Sequence, residues 1–174
     1  DLGDLSNKYV GTLDVSRATK LSRLVVGNGT AGYSNTNLTF LKVGNNKLLT
    51  YLDVRNCPNL TQAIDLSGCE NIKEVYATGT STTAVTLAAG GNLEKMTLPA
   101  TITNLTIKNQ PLLTNLTIEG VTNVSTLVVE NVNNSVDELT KNIIINSQNL
   151  SRVRLVGFYW NFNTPSEIFE VLDR

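Results

Sequence analysis

The sequence contains no histidine, which removes the usual proton acceptor of serine and cysteine hydrolases and the commonest nitrogen ligand of metals. Only two cysteines are present, Cys57 and Cys69, and they do not form a Cys-x-x-Cys pair. A zinc site needs more ligands of these kinds. We therefore predict neither a bound metal nor any other cofactor.

Acidic residues are few and scattered along the chain. We expect them on outward strand positions, as at Asp14, Asp53 and Asp65, where solvation explains them better than a carboxylate pair for glycoside hydrolysis does. GNGTAG at 27–32 has the spelling Gly-x-Gly-x-x-Gly, but it falls in a loop between strand phrases and no helix pattern follows it, so we interpret its glycines as corner residues and not as a phosphate-binding loop. Together with the missing histidine, this predicts that the protein is not an enzyme.

Neither charge nor hydropathy indicates a nucleic acid or membrane partner. The 14 basic and 15 acidic residues give a net charge of −1, without a cluster of lysine or arginine, so we predict no nucleic acid binding. No apolar run approaches the roughly 20 residues of a membrane helix, so we predict no membrane insertion. The chain starts at DLGDLSNKYV without an initiator methionine or a signal core, and we expect flanking domains of a longer chain.

A short phrase recurs through the middle of the chain: LEKMTL at 93–98, ITNLTI at 102–107, LTNLTI at 113–118 and VSTLVV at 124–129. Each copy has aliphatic residues at its first, fourth and sixth positions. The alternation at the fourth and sixth positions is typical of a half-buried strand, and the spacing is too short for independent domains. We therefore interpret the chain as an array of repeats.

The middle aliphatic residue of each phrase, its anchor, belongs to one of two interleaved series. The first series contains Leu41, Ile64, Val85, Leu105 and Leu127, the second contains Leu52, Val75, Met96 and Leu116, and later anchors are Ile143 and Val153. Neighbours within a series lie 20 to 23 residues apart. This predicts a mostly β solenoid of about six coils with parallel strands on both sides, stabilised by stacking of coil on coil.

Turns rich in glycine and asparagine separate the phrases and predict corners. Asparagine directly before the next aliphatic residue, as at Asn59 and Asn71, suggests a residue that closes the turn. Cys57 and Cys69 occupy matching corners of consecutive phrases, which we place on opposite sides of a coil. A disulfide requires Cα atoms within about 7 Å. We therefore expect two buried free thiols that bond weakly to corner backbone.

Two stretches of the chain, residues 38–48 and 49–60, resemble a known family of repeats. LTFLKVGNNKL at 38–48 matches the leucine-rich-repeat phrase LxxLxLxxNxL, and LTYLDVRNCPNL at 49–60 resembles its cysteine-bearing variant. The similarity covers residues 10–157, and its dense form resembles repeats of surface and adhesion proteins from gut bacteria and their phages. The resemblance implies a binding or adhesion module that is extracellular or on a virion surface. Its implied partner is a protein or a cell-surface glycan.

The whole chain, residues 1–174, is predicted to be one leucine-rich-repeat domain. Residues 1–9 would form an N-terminal cap, residues 10–157 the repeats, and residues 158–174 an aromatic segment and a cap helix. Thr164, Pro165 and Glu167 are the start signal of that helix.

Candidate binding residues come from three places in the sequence. An insertion at 27–37 carries Tyr33, Asn35 and Asn37, which suit hydrogen bonding and sugar stacking. The interpretation that we favour is a tolerated insertion whose tyrosine packs on a neighbouring coil. Tyr159 and Trp160 either seal the last coil or form a platform for a glycan or a neighbouring domain. The outward positions of the two series add the last candidates, which are Asp53, Tyr76 and Arg154.

A second interruption, at 130–142, predicts a helical turn that replaces a corner. Two further functions remain open at this point. The chain could be a rigid spacer in a larger assembly, or an accessory domain of a carbohydrate-active enzyme. A binding face would require a contiguous aromatic or charged patch on the folded surface.

Overall fold

A computed structural model describes residues 11–27, 29 and 34–157, and these residues are mostly β with one short α-helix. The strands are β1 Gly11–Asp14, β2 Arg23–Gly27, β3 Leu38–Lys42, β4 Tyr51–Val54, β5 Ile64–Leu66, β6 Glu74–Tyr76, β7 Val85–Leu87, β8 Lys95–Leu98, β9 Asn104–Gln110, β10 Asn115–Ile118, β11 Thr126–Val132 and β12 Arg152–Val156. A 3₁₀ turn, Asn134–Val136, leads into helix α1, Asp137–Asn146. The predicted caps at 1–9 and 158–174 lie outside the described residues.

One sheet collects every second strand of the first ten. Its order is β10-β8-β6-β4-β2, and all of its pairs are parallel. The register places Leu52 opposite Val75, Val75 opposite Met96, and Met96 opposite Leu116. The first three of these side chains are fully buried, and Leu116 is partly buried. The predicted parallel pairing of this anchor series is therefore confirmed.

The sequence predicts that the other strands pair along the second side of the coils, but they do not form one continuous sheet. They form three smaller parallel sheets, with the orders β1-β3, β5-β7 and β12-β11-β9. A single bridge, from Ala84 to Asn104, links β7 to β9. Strand length does not explain this break, because β6 also has three residues and pairs on both sides in the five-stranded sheet. Side-chain hydrogen bonds link the turns before β5, β7 and β9: the Thr82 hydroxyl donates to the Gln62 carbonyl at 2.7 Å, and the Thr101 hydroxyl donates to the Thr82 carbonyl at 2.7 Å.

Helix α1 replaces a predicted strand. The helical turn expected at 130–142 is present, but the helix continues to Asn146, so the prediction of Ile143 as a strand anchor is wrong. Thr140, Ile143 and Ile144 are buried on one helical face, at the spacing of an amphipathic helix. The 3₁₀ turn before it is tied to the turn preceding β10, because the Ser135 hydroxyl donates to the Leu113 carbonyl at 3.0 Å.

Strand β12 pairs with β11 and places Val153 opposite Leu127. The sequence predicts that Val153 is an inward, buried anchor. Its register with the buried Leu127 keeps it on the inner side of the sheet, but its side chain is 46% exposed, so the predicted burial is wrong. The reason is position, because β12 is the last strand of its sheet within the described chain, and no described strand lies beyond it.

Asparagine side chains tie neighbouring turns together. The amide of Asn71 donates to the Lys47 carbonyl at 2.8 Å, and the amide of Asn92 donates to the Glu70 carbonyl at 2.9 Å. Asn59, Asn123 and Asn133 make equivalent bonds to earlier turns. These bonds, which we call the asparagine ladder, span 22 to 24 residues. The sequence suggests that these asparagines close their own turns. The structure shows instead that they join successive turns.

Both cysteines are buried and free, as predicted. The Cys57 sulfur lies 3.8 Å from the Arg55 carbonyl oxygen, and the Cys69 sulfur lies 3.8 Å from the Gly44 carbonyl oxygen. Burial raises the pKa of the Cys57 thiol to about 11. Because the thiolate is the reactive form, Cys57 is a structural side chain.

Candidate binding surface

The predicted binding residues that the structure describes do not converge on one surface. Tyr33, Tyr159 and Trp160 lie outside the described residues. Asn35 is fully buried, and its side-chain amide donates to the Val26 carbonyl, so this residue belongs to the interior. Asn37 is exposed in the turn before β3.

Arg154 belongs to an ion ladder across the three-stranded sheet. Its Nε atom lies 2.5 Å from Oε1 of Glu130, and Nζ of Lys108 lies 3.2 Å from the same oxygen. Hydrogen bonding from Arg154, and then from Lys108, lowers the pKa of Glu130. Arg154 is therefore already engaged, and it lies in a different sheet from Asp53 and Tyr76.

Tyr76 and Asp53 are neighbours on the outer face of the five-stranded sheet, where the register pairs them between β4 and β6. The ring of Tyr51 stands beside that of Tyr76, with the centroids 5.4 Å apart and the planes inclined by 39°. The Arg23 guanidinium lies 3.6 Å from the centroid of the Tyr51 ring. This geometry joins three consecutive strands into one side-chain assembly.

Two further cations complete this assembly. The Arg55 guanidinium and the Lys95 ammonium lie 4.9 Å and 5.1 Å from the centroid of the Tyr76 ring. Both separations fall within the range of cation–π attraction. We call this assembly the tyrosine–cation cluster, and its members are Arg23, Tyr51, Asp53, Arg55, Glu74, Tyr76 and Lys95.

Strand register explains why these residues meet. Arg23, Tyr51, Glu74 and Lys95 each stand directly before an anchor, so in-register parallel pairing aligns them in one row across β2, β4, β6 and β8. The sequence interpretation missed five members of the cluster, which are Arg23, Tyr51, Arg55, Glu74 and Lys95. Aligning the phrases on their anchors would have shown the row.

Asp53 is not a solvated outward acid as predicted, because it is only 1% exposed. Arg55 covers it. Nη2 of Arg55 lies 2.5 Å from Oδ2 of Asp53, Nε lies 3.0 Å from Oδ1, and the Arg55 backbone N–H also donates to Oδ1 at 3.1 Å. This hydrogen bonding raises the pKa of Arg55. Asp53 therefore holds the Arg55 guanidinium near the Tyr76 ring and does not offer a carboxylate to a ligand.

The Tyr76 hydroxyl donates to Oε2 of Glu74 at 2.5 Å. Burial and this bond to a carboxylate together raise the pKa of Tyr76 to about 12. The phenol is therefore neutral throughout the physiological range, and it hydrogen-bonds one oxygen of the Glu74 carboxylate.

The raised pKa of Tyr76 gives a direct test of the cluster geometry. A spectrophotometric titration should contain a tyrosine component with a midpoint of about 12, and this component should disappear in Tyr76→Phe. The sign is that of a raised folded-state pKa, so the stabilisation is fully present below pH 10 and is lost as the pH rises towards 12. A titration unchanged by Tyr76→Phe would contradict the bond to Glu74.

Two cations of the cluster have no acidic partner. Arg23 is exposed and Lys95 is partly buried, and neither makes an ion pair within the described part of the chain. Asp53 is bound by Arg55, and Glu74 is bound by Tyr76. The surface therefore presents two tyrosine edges between two available positive charges.

A separate groove of about 360 Å³ lies where β7 and β9 diverge. Small side chains such as Ala84, Thr86 and Thr106 line it, and Lys108 is the charged residue in its wall. Nζ of Lys108 is paired with Glu130. The groove brings no carboxylates together, so it lacks the acid pair of a glycoside hydrolase.

Within residues 11–27, 29 and 34–157, no three histidine, cysteine or acidic residues are grouped as a metal site would require. Over the same residues, no helix has the length and apolar character needed to cross a membrane. The chain matches no family model, no curated protein and no solved structure.

Proposed function

We propose that the chain is a non-catalytic leucine-rich-repeat solenoid whose strands alternate between two sides of coils of 20–23 residues. The in-register anchors of the five-stranded sheet support this arrangement, as does the step of 22 to 24 residues along the asparagine ladder. The phrases LTFLKVGNNKL and LTYLDVRNCPNL, which resemble leucine-rich repeats, support the family assignment.

The solenoid acts as a binding or adhesion module, with the tyrosine–cation cluster as its recognition surface. The observation that carries this proposal is the contiguity of Tyr51 and Tyr76 with two cations that have no ion pair among the described residues. Tyrosine and arginine are among the residue types that dominate binding energy at protein interfaces. The resemblance to surface and adhesion repeats supports a location on a bacterial surface or a phage tail, with a protein or a glycan as the partner.

A rigid spacer is the second candidate, and one observation favours it. Several surface charges are paired between neighbouring turns and strands, as in Lys42–Asp14 at 3.2 Å and Lys73–Glu94 at 3.1 Å. Such pairs stabilise the array without offering free charge to a partner. The tyrosine–cation cluster differs because its two cations without an ion pair among the described residues lie against aromatic rings.

Binding of the 174-residue chain to bacterial cells and to a glycan array tests the proposal. The variant Tyr51→Thr/Tyr76→Thr should weaken binding by about tenfold or more, because it removes both aromatic anchors while keeping strand-favouring side chains. The matched control is Phe40→Thr, which removes an aromatic side chain that is 37% exposed on β3 of another sheet.

Phe40→Thr should bind as the unsubstituted chain does, and circular dichroism should show that all variants remain folded. Equal binding by Tyr51→Thr/Tyr76→Thr would exclude the cluster as the recognition surface. Absence of binding by the unsubstituted chain would favour the spacer.

A further inference from the structure

Arg23 and Lys95 stand at the two ends of the cluster with a fixed separation. They occupy the same register row on β2 and β8, and Tyr51 and Glu74 lie between them on β4 and β6. Neighbouring strands lie about 4.8 Å apart, so three steps put the backbones of Arg23 and Lys95 roughly 14 Å apart. The Arg23 guanidinium lies 3.6 Å from the Tyr51 centroid and the Lys95 ammonium lies 5.1 Å from the Tyr76 centroid, and the two centroids are 5.4 Å apart. The two charges are therefore no more than about 14 Å apart.

The tyrosine rings are poorly placed for stacking on a sugar. The Arg23 guanidinium already lies against the Tyr51 ring at 3.6 Å, and Arg55 and Lys95 flank the Tyr76 ring. A sugar ring would have to displace a guanidinium from its aromatic face before it could stack there. The cluster instead presents ring edges and positive charge, which suits a partner that supplies carboxylates and a small apolar contact.

We propose that the cluster binds an extended acidic segment of a partner protein that runs across the strands, with carboxylate side chains at residues i and i+4. This inference rests on the binding function proposed above and names its ligand. In an extended chain these two side chains lie on the same face, about 13–14 Å apart, which matches Arg23 and Lys95. In a helix, residues about 9 apart have this separation, but they point to opposite sides.

The middle of the cluster defines the residue between the two acids. Glu74 lies in the same row, and its carboxylate accepts the Tyr76 hydroxyl. An acid at i+2 of the partner would face Glu74 and be repelled, whereas an apolar side chain would contact the tyrosine edges. The recognised pattern is therefore acidic, any residue, apolar, any residue, acidic.

Fluorescence anisotropy with labelled peptides and the 174-residue chain tests the pattern. The probe Gly-Ser-Glu-Ser-Leu-Ser-Glu-Ser-Gly should bind, and replacing either glutamate by glutamine should weaken binding about three- to fivefold. Moving the second glutamate to the central position should weaken binding at least as much. Binding should also fall as salt is raised, because the contacts are between partly exposed charges.

Charge reversal in the protein provides the decisive comparison. Lys95→Glu should lose the acidic probe and gain preference, by about tenfold, for a probe with lysine in place of the second glutamate. Arg152→Glu is the matched control, because Arg152 is an exposed strand cation without an ion pair among the described residues. It should leave the preference for the acidic probe unchanged.

Three results would overturn the inference: no binding of the acidic probe, equal binding of the all-glutamine probe, or equal effects of Lys95→Glu and Arg152→Glu. Its failure is distinguishable from failure of the proposed function. Cells or glycans that bind in a manner dependent on Tyr51 and Tyr76, while the acidic probe does not, would remove the acidic segment and keep the binding surface.

Discussion

Replacing Arg55 by methionine is expected to lower the free energy of unfolding by about 3–5 kcal/mol, measured by urea denaturation. Asp53 is 1% exposed, and its carboxylate receives the Nε and Nη2 donors of Arg55. Methionine keeps much of the side-chain volume but removes the charge, so Asp53 is left as a buried carboxylate without a counter-ion. The expected loss in the free energy of unfolding comes mainly from the unpaired Asp53 carboxylate and not from lost packing.

Two further variants separate these causes. Asp53→Leu in the Arg55→Met background should recover most of the loss, because neither charge is then buried. Arg154→Met removes one end of an exposed ion pair, since the Arg154 side chain is 58% exposed, and its effect should be much smaller. Equal losses for Arg55→Met and Arg154→Met would show that the burial of Asp53 does not control the stability.

Leu52→Ala is expected to destabilise the chain by about 2–5 kcal/mol. Leu52 is fully buried on β4, an interior strand of the five-stranded sheet, and lies opposite Leu24 on one side and Val75 on the other. A parallel sheet has little freedom to close a cavity on an interior strand, because the pairing on both sides fixes the backbone. The lost side-chain volume should therefore remain as a void.

The same substitution at an exposed site provides the control. Leu48 is 55% exposed, so Leu48→Ala should change the free energy of unfolding by no more than about 0.5 kcal/mol. Denaturation midpoints of the two variants, measured under identical conditions, give the comparison. Similar losses would mean that the anchors do not form a shared interior.

Parallel pairing of Leu52, Val75, Met96 and Leu116 could be predicted from the sequence because strand side chains alternate with a period of two. Identical phrases that bury the same positions pair in the same register. Ile143 shows where this reasoning fails. A short aliphatic run fits a strand or a helix, and only the wider spacing of Thr140, Ile143 and Ile144 distinguishes them.

The candidate binding surface was less accessible to sequence reasoning. The sequence predicts that Tyr76 faces outward, but it does not identify the residues that contact it. These are Glu74 and Lys95, which directly precede their anchors, and Arg55, which follows β4. Strand alternation also predicts that Asp53 faces solvent. It faces outward and is nevertheless buried, because Arg55 folds back over it, and no local pattern reports that contact.

The asparagine ladder has a consequence for how such a chain changes in length. Every step joins an amide to a carbonyl one unit earlier, and the steps are nearly equal at 22 to 24 residues. Duplication or loss of one complete unit leaves each remaining amide with an equivalent acceptor. A deletion of a few residues inside a unit changes the spacing of the bonds that span it, so those amides lose their acceptors. The architecture therefore favours lengthening and shortening by whole repeat units, because only such changes keep all the asparagine hydrogen bonds.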